Sequence, residues 1–169
     1  MDIAILPSEH IPARFQKRSL FNEDFVIAMR ADHPYAKAPS LDRYCDARHL
    51  VVSHAGDPNG FIDRVLEEQG RRRRIALTVP NFMLALAIAA ESDMLVALPC
   101  RFAALHAPRF RVITQASPFA LDGFRLNAVS PKAALMDRGV AWFFAMLTSL
   151  EWEPPKQARR AASRKRSDQ

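Results

Sequence analysis

The chain has 169 residues, 49% of them hydrophobic, which is the length of one domain with enough apolar material for a sizeable core. It contains no apolar run of about 18 residues and opens on Met1-Asp2 without a basic stretch leading into an apolar one, which argues against a membrane span and a secretory signal. The net charge of +6 raises a nucleic-acid reading, but six of the 24 Lys and Arg residues and one of the 18 acids fall in residues 156–169, so the rest of the chain carries only +1.

The apolar run Met1 to Leu6 is stopped by Pro7 and predicts a short strand. Residues 19–30 end in Phe25-Val26-Ile27-Ala28-Met29, the run of a buried strand, and Asp32-His33-Pro34 closes it as a turn. Ser40 is a suitable N-cap for a helical turn over 41–44. Cys45 and Cys100 stand without a CxxC or a Cys/His cluster, which fits buried free thiols in a reducing compartment and hence a cytoplasmic location.

Leu50-Val51-Val52 predicts the next strand, followed by the turn Ser53-His54-Ala55-Gly56-Asp57-Pro58-Asn59-Gly60. Apolar residues at 61, 62, 65 and 66 have helical spacing, with Gly70 as the cap. Arg71 to Arg74 follow that cap, where cations interact well with a helix C-terminus, so they are expected to be structural. A strand over 75–79, a helix capped by Asn81 and running to about 90, buried on most sides, and a strand over 94–98 stopped by Pro99 complete the run. Strands alternating with helices in this way indicate parallel βαβ units and an α/β fold.

Beyond these, a helix is expected near 100–106, strands at 110–114 and 123–130, and a last helix at about 133–150 with Trp142, Phe143, Met146, Leu147 and Leu150 on its apolar face. Residues 151–169 follow with Pro154-Pro155 and a basic tail that is expected to be disordered and solvated.

The turn at 53–60 lies where parallel sheets bind ligands, beyond the carboxyl end of a strand. Ser53, His54 and Asn59 supply side-chain donors, and Gly56 and Gly60 let backbone approach a small anion or polar organic molecule; the same residues also suit any turn on conformational grounds. No catalytic or metal site is expected. The chain lacks G-x-S-x-G, H-E-x-x-H, G-x-x-x-x-G-K-[ST] and G-x-G-x-x-G, and His49 and His54 differ by an odd number and so would face opposite sides of one strand.

The ordered pieces D-I-A-I (2–5), L-F-N-E-D-F-V-I-A-M-R-A-D-H-P (20–34), H-L-V-V-S (49–53), R-I-A-L-T-V-P-N-F (74–82) and S-D-M-L-V-A-L-P (92–99) resemble the effector-binding domain of LysR-type transcriptional regulators over about residues 2–150. The resemblance implies a type 2 periplasmic-binding-protein-like, two-lobed α/β fold with mixed sheets and an incomplete first lobe. It implies lobe I remnants at 1–19 and 110–150, a crossing strand and linker at 20–47, and lobe II at 48–109. The implied ligand is a small-molecule effector in the cleft between lobes, touched by Leu6, Ser53, His54, Pro58, Asn59, Phe61, Asn81 and Phe82. The two phenylalanines beside donors suggest an aromatic or carboxylated metabolite.

No cofactor, enzyme activity or membrane partner is implied. DNA is expected only through an N-terminal helix-turn-helix missing from this chain, and the full-length regulator is expected to be a homo-oligomer. The alternatives are a periplasmic-type solute-binding protein, a small α/β enzyme and a truncated product without independent function.

Overall fold

The computed structural model describes residues 1–8, 10–150 and 152; the basic tail expected at the end lies outside the described residues. In chain order the elements are β1 (Ala4–Leu6), β2 (Phe15–Glu23), β3 (Phe25–Arg30), α1 (Leu41–Asp46), β4 (Arg48–Val52), α2 (Phe61–Glu67), β5 (Arg74–Val79), α3 (Phe82–Ala90), β6 (Met94–Pro99), α4 (Cys100–His106), β7 (Val112–Gln115), β8 (Phe124–Pro131) and α5 (Arg138–Ser149). No helix among the described residues is long and apolar enough to cross a membrane.

The chain divides into two compact units, one from residues 1–24 and 123–154 and the other containing 25–122. In the first unit β8 lies between β1 and β2, antiparallel to both. Asn127 and Ser130 of β8 are fully buried and tie down the opening segment, Asn127 Nδ2 donating to the Ser8 carbonyl (2.9 Å) and Ser130 Oγ to that of Asp2 (2.7 Å).

The opening residues of β2 escape the sequence pattern because Lys17, Arg18 and Ser19 leave an exposed edge rather than an apolar alternation. Gly123 is required where the chain re-enters this unit: a Cβ there would stand 2.4 Å from the Glu23 carbonyl oxygen and 2.7 Å from Asp24 Oδ1.

Helix α5 is capped by Asp137, whose Oδ1 accepts from Gly139 N–H (2.8 Å) and Val140 N–H (3.0 Å). Its expected apolar face is corrected by the structure. Phe144 and Leu147 are the buried pair, whereas Trp142, Phe143 and Leu150 are exposed. Leu147 is buried as expected, but residues 140–147 are all apolar, and within that stretch spacing alone does not mark the inner stripe.

The second unit is a five-stranded sheet in the order β5-β4-β6-β3-β7. Strand β4 is parallel to β5 and β6, and β3 is antiparallel to β6 and β7. Alternate residues of β3 feed two cores, Val26 and Ala28 joining the α3 and α4 side with Leu50, Leu86, Val96 and Leu98, and Ile27 and Met29 joining Tyr44, Ile62, Leu66 and Leu95 on the other. Burial on both faces explains why this strand reads as a continuous apolar run.

Ser40 caps α1 by accepting from Arg43 N–H (3.3 Å). Beyond α2, Gly70 takes the left-handed conformation (φ 65°), with Gly70 N–H on the Glu67 carbonyl (2.9 Å) and Arg71 N–H on that of Leu66 (2.8 Å), a Schellman closure. Helix α3 departs from expectation: Ala85, Leu86 and Ala89 are buried, but Met83 and Leu84 are exposed in its first turn.

Candidate functional site

The carboxyl ends of β4 and β5 lie side by side in parallel register, with Val52 opposite Val79, and Ser53 N–H donates to the Val79 carbonyl (2.9 Å). The loop 53–60 therefore leaves the sheet beside the turn that carries Asn81, at the strand ends where open α/β sheets receive ligands. Ser53 is half-buried, and His54, Gly56, Asp57, Pro58 and Asn59 are exposed. Gly56 requires its glycine (φ 76°), and Asn59 N–H is held by Asp57 Oδ1 (2.8 Å).

Asn81 is exposed and uses its side-chain oxygen as the α3 cap, accepting from Leu84 N–H (2.9 Å). Asn81→Ala is expected to cost about 1 kcal/mol, read as a lower urea midpoint at unchanged slope.

Phe61 and Phe82 do not converge. Phe61 packs on the α2 face against Phe25, ring centroids 4.7 Å apart, and Phe82 packs on the opposite face against Phe102 at 5.4 Å. Leu6 belongs to the other unit, where it lines an apolar cavity of about 180 Å³ with Ala4, Ile11, Phe15 and Val129.

A depression of about 510 Å³ runs beside the loop, lined by Asp57, Asn59, Gly60, Phe61, Asp63, Arg64 and Glu67. Sequence reasoning found Asn59 and Phe61 but not the charged residues of α2. Asp63 is the most constrained of these. Its Oδ2 accepts from Gly60 N–H (2.8 Å), and the Arg73 guanidinium forks onto both oxygens, Nε to Oδ1 and Nη2 to Oδ2, each at 2.8 Å. Burial alone would raise its pKa, but the Arg73 and Gly60 hydrogen bonds outweigh it and hold the carboxyl below its usual value.

Two arginines of the run are structural, through carboxylates rather than a helix end: Arg73 pairs with Asp63 in the first turn of α2, and Arg71 with Asp42 (2.6 Å).

His49 is fully buried on β4, its Nε2 donating to the Tyr44 carbonyl (2.6 Å), while Nδ1 has no partner. His54 lies beyond the strand, so the two do not share an environment. Among the described residues no cluster of His, Cys, Asp or Glu could hold a metal ion, and no hydrogen bond joins Ser53 to the His54 ring.

A family model described as the LysR substrate binding domain matches residues 1–151. The transcriptional activator NagR of a Ralstonia species is 29% identical over 151 residues, covering 89% of this chain and 50% of that protein. Among solved structures, a probable transcriptional regulator, PA0477 of Pseudomonas aeruginosa, is similar with a TM-score of 0.78 and 29% identity, over 90% of this chain and 51% of that one. The regulatory domain of the P. aeruginosa activator MexT is similar with a TM-score of 0.75 and 26% identity, over 88% of this chain and 72% of that domain. The chain spans about half the length of the curated relatives it matches.

Proposed function

The chain belongs to the LysR substrate-binding domain family, and from that premise we propose that it is the sensor part of a LysR-type transcriptional regulator, binding a small metabolite and passing the signal to transcription. The observation that carries the ligand site is the Ser53 N–H to Val79 carbonyl bond, which brings the 53–60 loop and the Asn81 turn together at the ends of two parallel strands. In this reading Ser53, His54 and Asn59 supply polar contacts, Pro58 shapes the loop, and Phe61 and Phe82 flank the sheet end from its two faces.

A ligand that binds one arrangement of the regulator more tightly than another shifts the population toward it, which is how occupancy becomes a transcriptional signal. The module is a cytoplasmic binder rather than an enzyme. DNA contact lies with the part of the longer relatives that this chain does not span, and the whole regulator works as a homo-oligomer.

The ligand class proposed is a small aromatic carboxylate, with benzoate as its simplest probe. Calorimetric titration of the chain with benzoate is expected to give saturable binding, weakened about tenfold by either Ser53→Ala or Asn59→Ala, a loss of about 1.4 kcal/mol. Saturable binding that neither substitution alters would place the ligand elsewhere.

A further inference from the structure

The 53–60 loop is fastened to its unit at its ends. Ser53 N–H is bound to Val79 at one end and Gly60 N–H to Asp63 Oδ2 at the other, while the bonds between them are internal, Gly56 N–H to the Ser53 carbonyl (3.4 Å) and Asn59 N–H to Asp57 Oδ1 (2.8 Å). The second fastening depends on how the Asp63 carboxylate is held. Arg73, its side chain only 3% exposed, grips both oxygens, and its Nη1 donates to Tyr44 Oη (3.3 Å). Tyr44 is fully buried, and its carbonyl holds His49 of β4. A line of polar contacts thus runs from β4 through Tyr44 and Arg73 to the last residue of the loop.

Asp63 Oδ2 accepts from Arg73 Nη2 and from Gly60 N–H together, so displacing the guanidinium disturbs the acceptor of the Gly60 N–H and leaves Gly60 held through its carbonyl, which accepts from Asp63 N–H (3.1 Å) and Arg64 N–H (3.4 Å). Stability alone does not call for such a pair, because a well-packed apolar pair is often as stable as a buried ion pair. An apolar pair would leave Gly60 N–H without its acceptor. The guanidinium also cancels the Asp63 charge beside Asn59 and Phe61, in a lining where an anionic ligand would otherwise meet Asp57, Asp63 and Glu67 with Arg64 as the one opposing cation.

We propose that Arg73 is a positioning residue for the ligand loop: through Asp63 it fixes Gly60, sets the placement of Asn59 and Phe61, and makes the site tolerant of a carboxylate ligand. This inference rests on the effector reading above for its functional meaning, but not for its geometry.

The test is amide hydrogen exchange of the full chain without ligand, comparing the wild type with Arg73→Lys, which keeps the charge and loses the fork, and with Asp63→Asn, which keeps an acceptor for Gly60 N–H and loses the ion pair. Either variant that retains its circular dichroism serves. Segments spanning 53–60 are expected to exchange at least tenfold faster, over and above the acceleration that lost global stability gives β3 and β6. Loop exchange within twofold of the wild type, even with a lowered melting temperature, would reduce the pair to a stabilising contact and overturn the proposal.

Benzoate titration separates the two claims. Binding by the wild type with undiminished affinity in Arg73→Lys would overturn the positioning role. No binding by the wild type, with a loosened loop in the variant, would overturn the effector reading and support the positioning of the loop.

Discussion

Arg73→Met is expected to lower the unfolding free energy by about 3–5 kcal/mol, the usual consequence of removing one member of a buried ion pair. The reason lies in what stays behind. Asp63 has a side chain only 15% exposed, and without the guanidinium its charge is left in a poorly solvated place with Gly60 N–H as its remaining partner. Tyr44 Oη loses the donor that reaches it as well. The double substitution Arg73→Met with Asp63→Leu removes the stranded charge and is expected to recover part of the loss, although Gly60 N–H then lacks its acceptor. Urea unfolding of the four proteins gives the coupling between the two sites; additive losses would show that the fork contributes nothing beyond its separate halves. Arg71→Met breaks an exposed pair with Asp42 and is expected to change stability by less than about 1 kcal/mol.

Acidification is expected to weaken the fold between pH 6.5 and about 4 through His49. Burial pushes this imidazole down to about 4, against the opposing effect of its bond to the Tyr44 carbonyl, and the nearby Arg73 lowers it further. The unfolded chain therefore binds a proton in that window which the folded chain does not, so stability falls as the pH drops through it and levels off once both states are protonated. The depression corresponds to about 3 kcal/mol. Asp63 acts in a lower range: its folded pKa lies below the usual carboxylate value, so its contribution is present above that value and is lost as the pH falls through the lowered folded pKa. Urea midpoints at pH 7.5, 6.5, 5.5 and 4.5 for the wild type and His49→Gln measure the first effect as a difference in slope. Parallel profiles would mean that His49 does not carry the acid sensitivity.

Much of the second unit was legible in the sequence because its elements are local and strongly patterned. Ser40, Asn81 and Gly70 announce their helix ends by side-chain chemistry or by freedom at positive φ, and β4, β5 and β6 are short apolar runs between turn residues. The site was legible as a loop and not as a constellation. Asp63 and Arg73 are ten residues apart, on a helix and just ahead of the following strand, and no local spacing rule pairs them; the arginine run drew attention to its position after Gly70 instead. Phe61 and Phe82 each follow a strand, but α2 and α3 pack on opposite faces of the sheet, so two similar sequence positions lead to rings that do not meet. On α5 the polar residues stand at the two ends, Arg138 at one and Thr148 and Ser149 at the other, while residues 140–147 are all apolar, so the spacing inside that stretch does not separate Trp142 from Phe144.

The position of β3 between β6 and β7 has a consequence for synthesis. Its partners are residues 96–99 of β6 and 112–115 of β7, and the strands β1 and β2 find theirs only at 124–131. An emerging chain must therefore keep residues 25–30, one of its most apolar stretches, from wrong partners while some seventy more residues are made, and the sheet of the first unit waits longer still. Contacts so distant along the chain are slow to form and leave unpaired strands exposed in the meantime. The polypeptide needs its last third before either of its sheets can close.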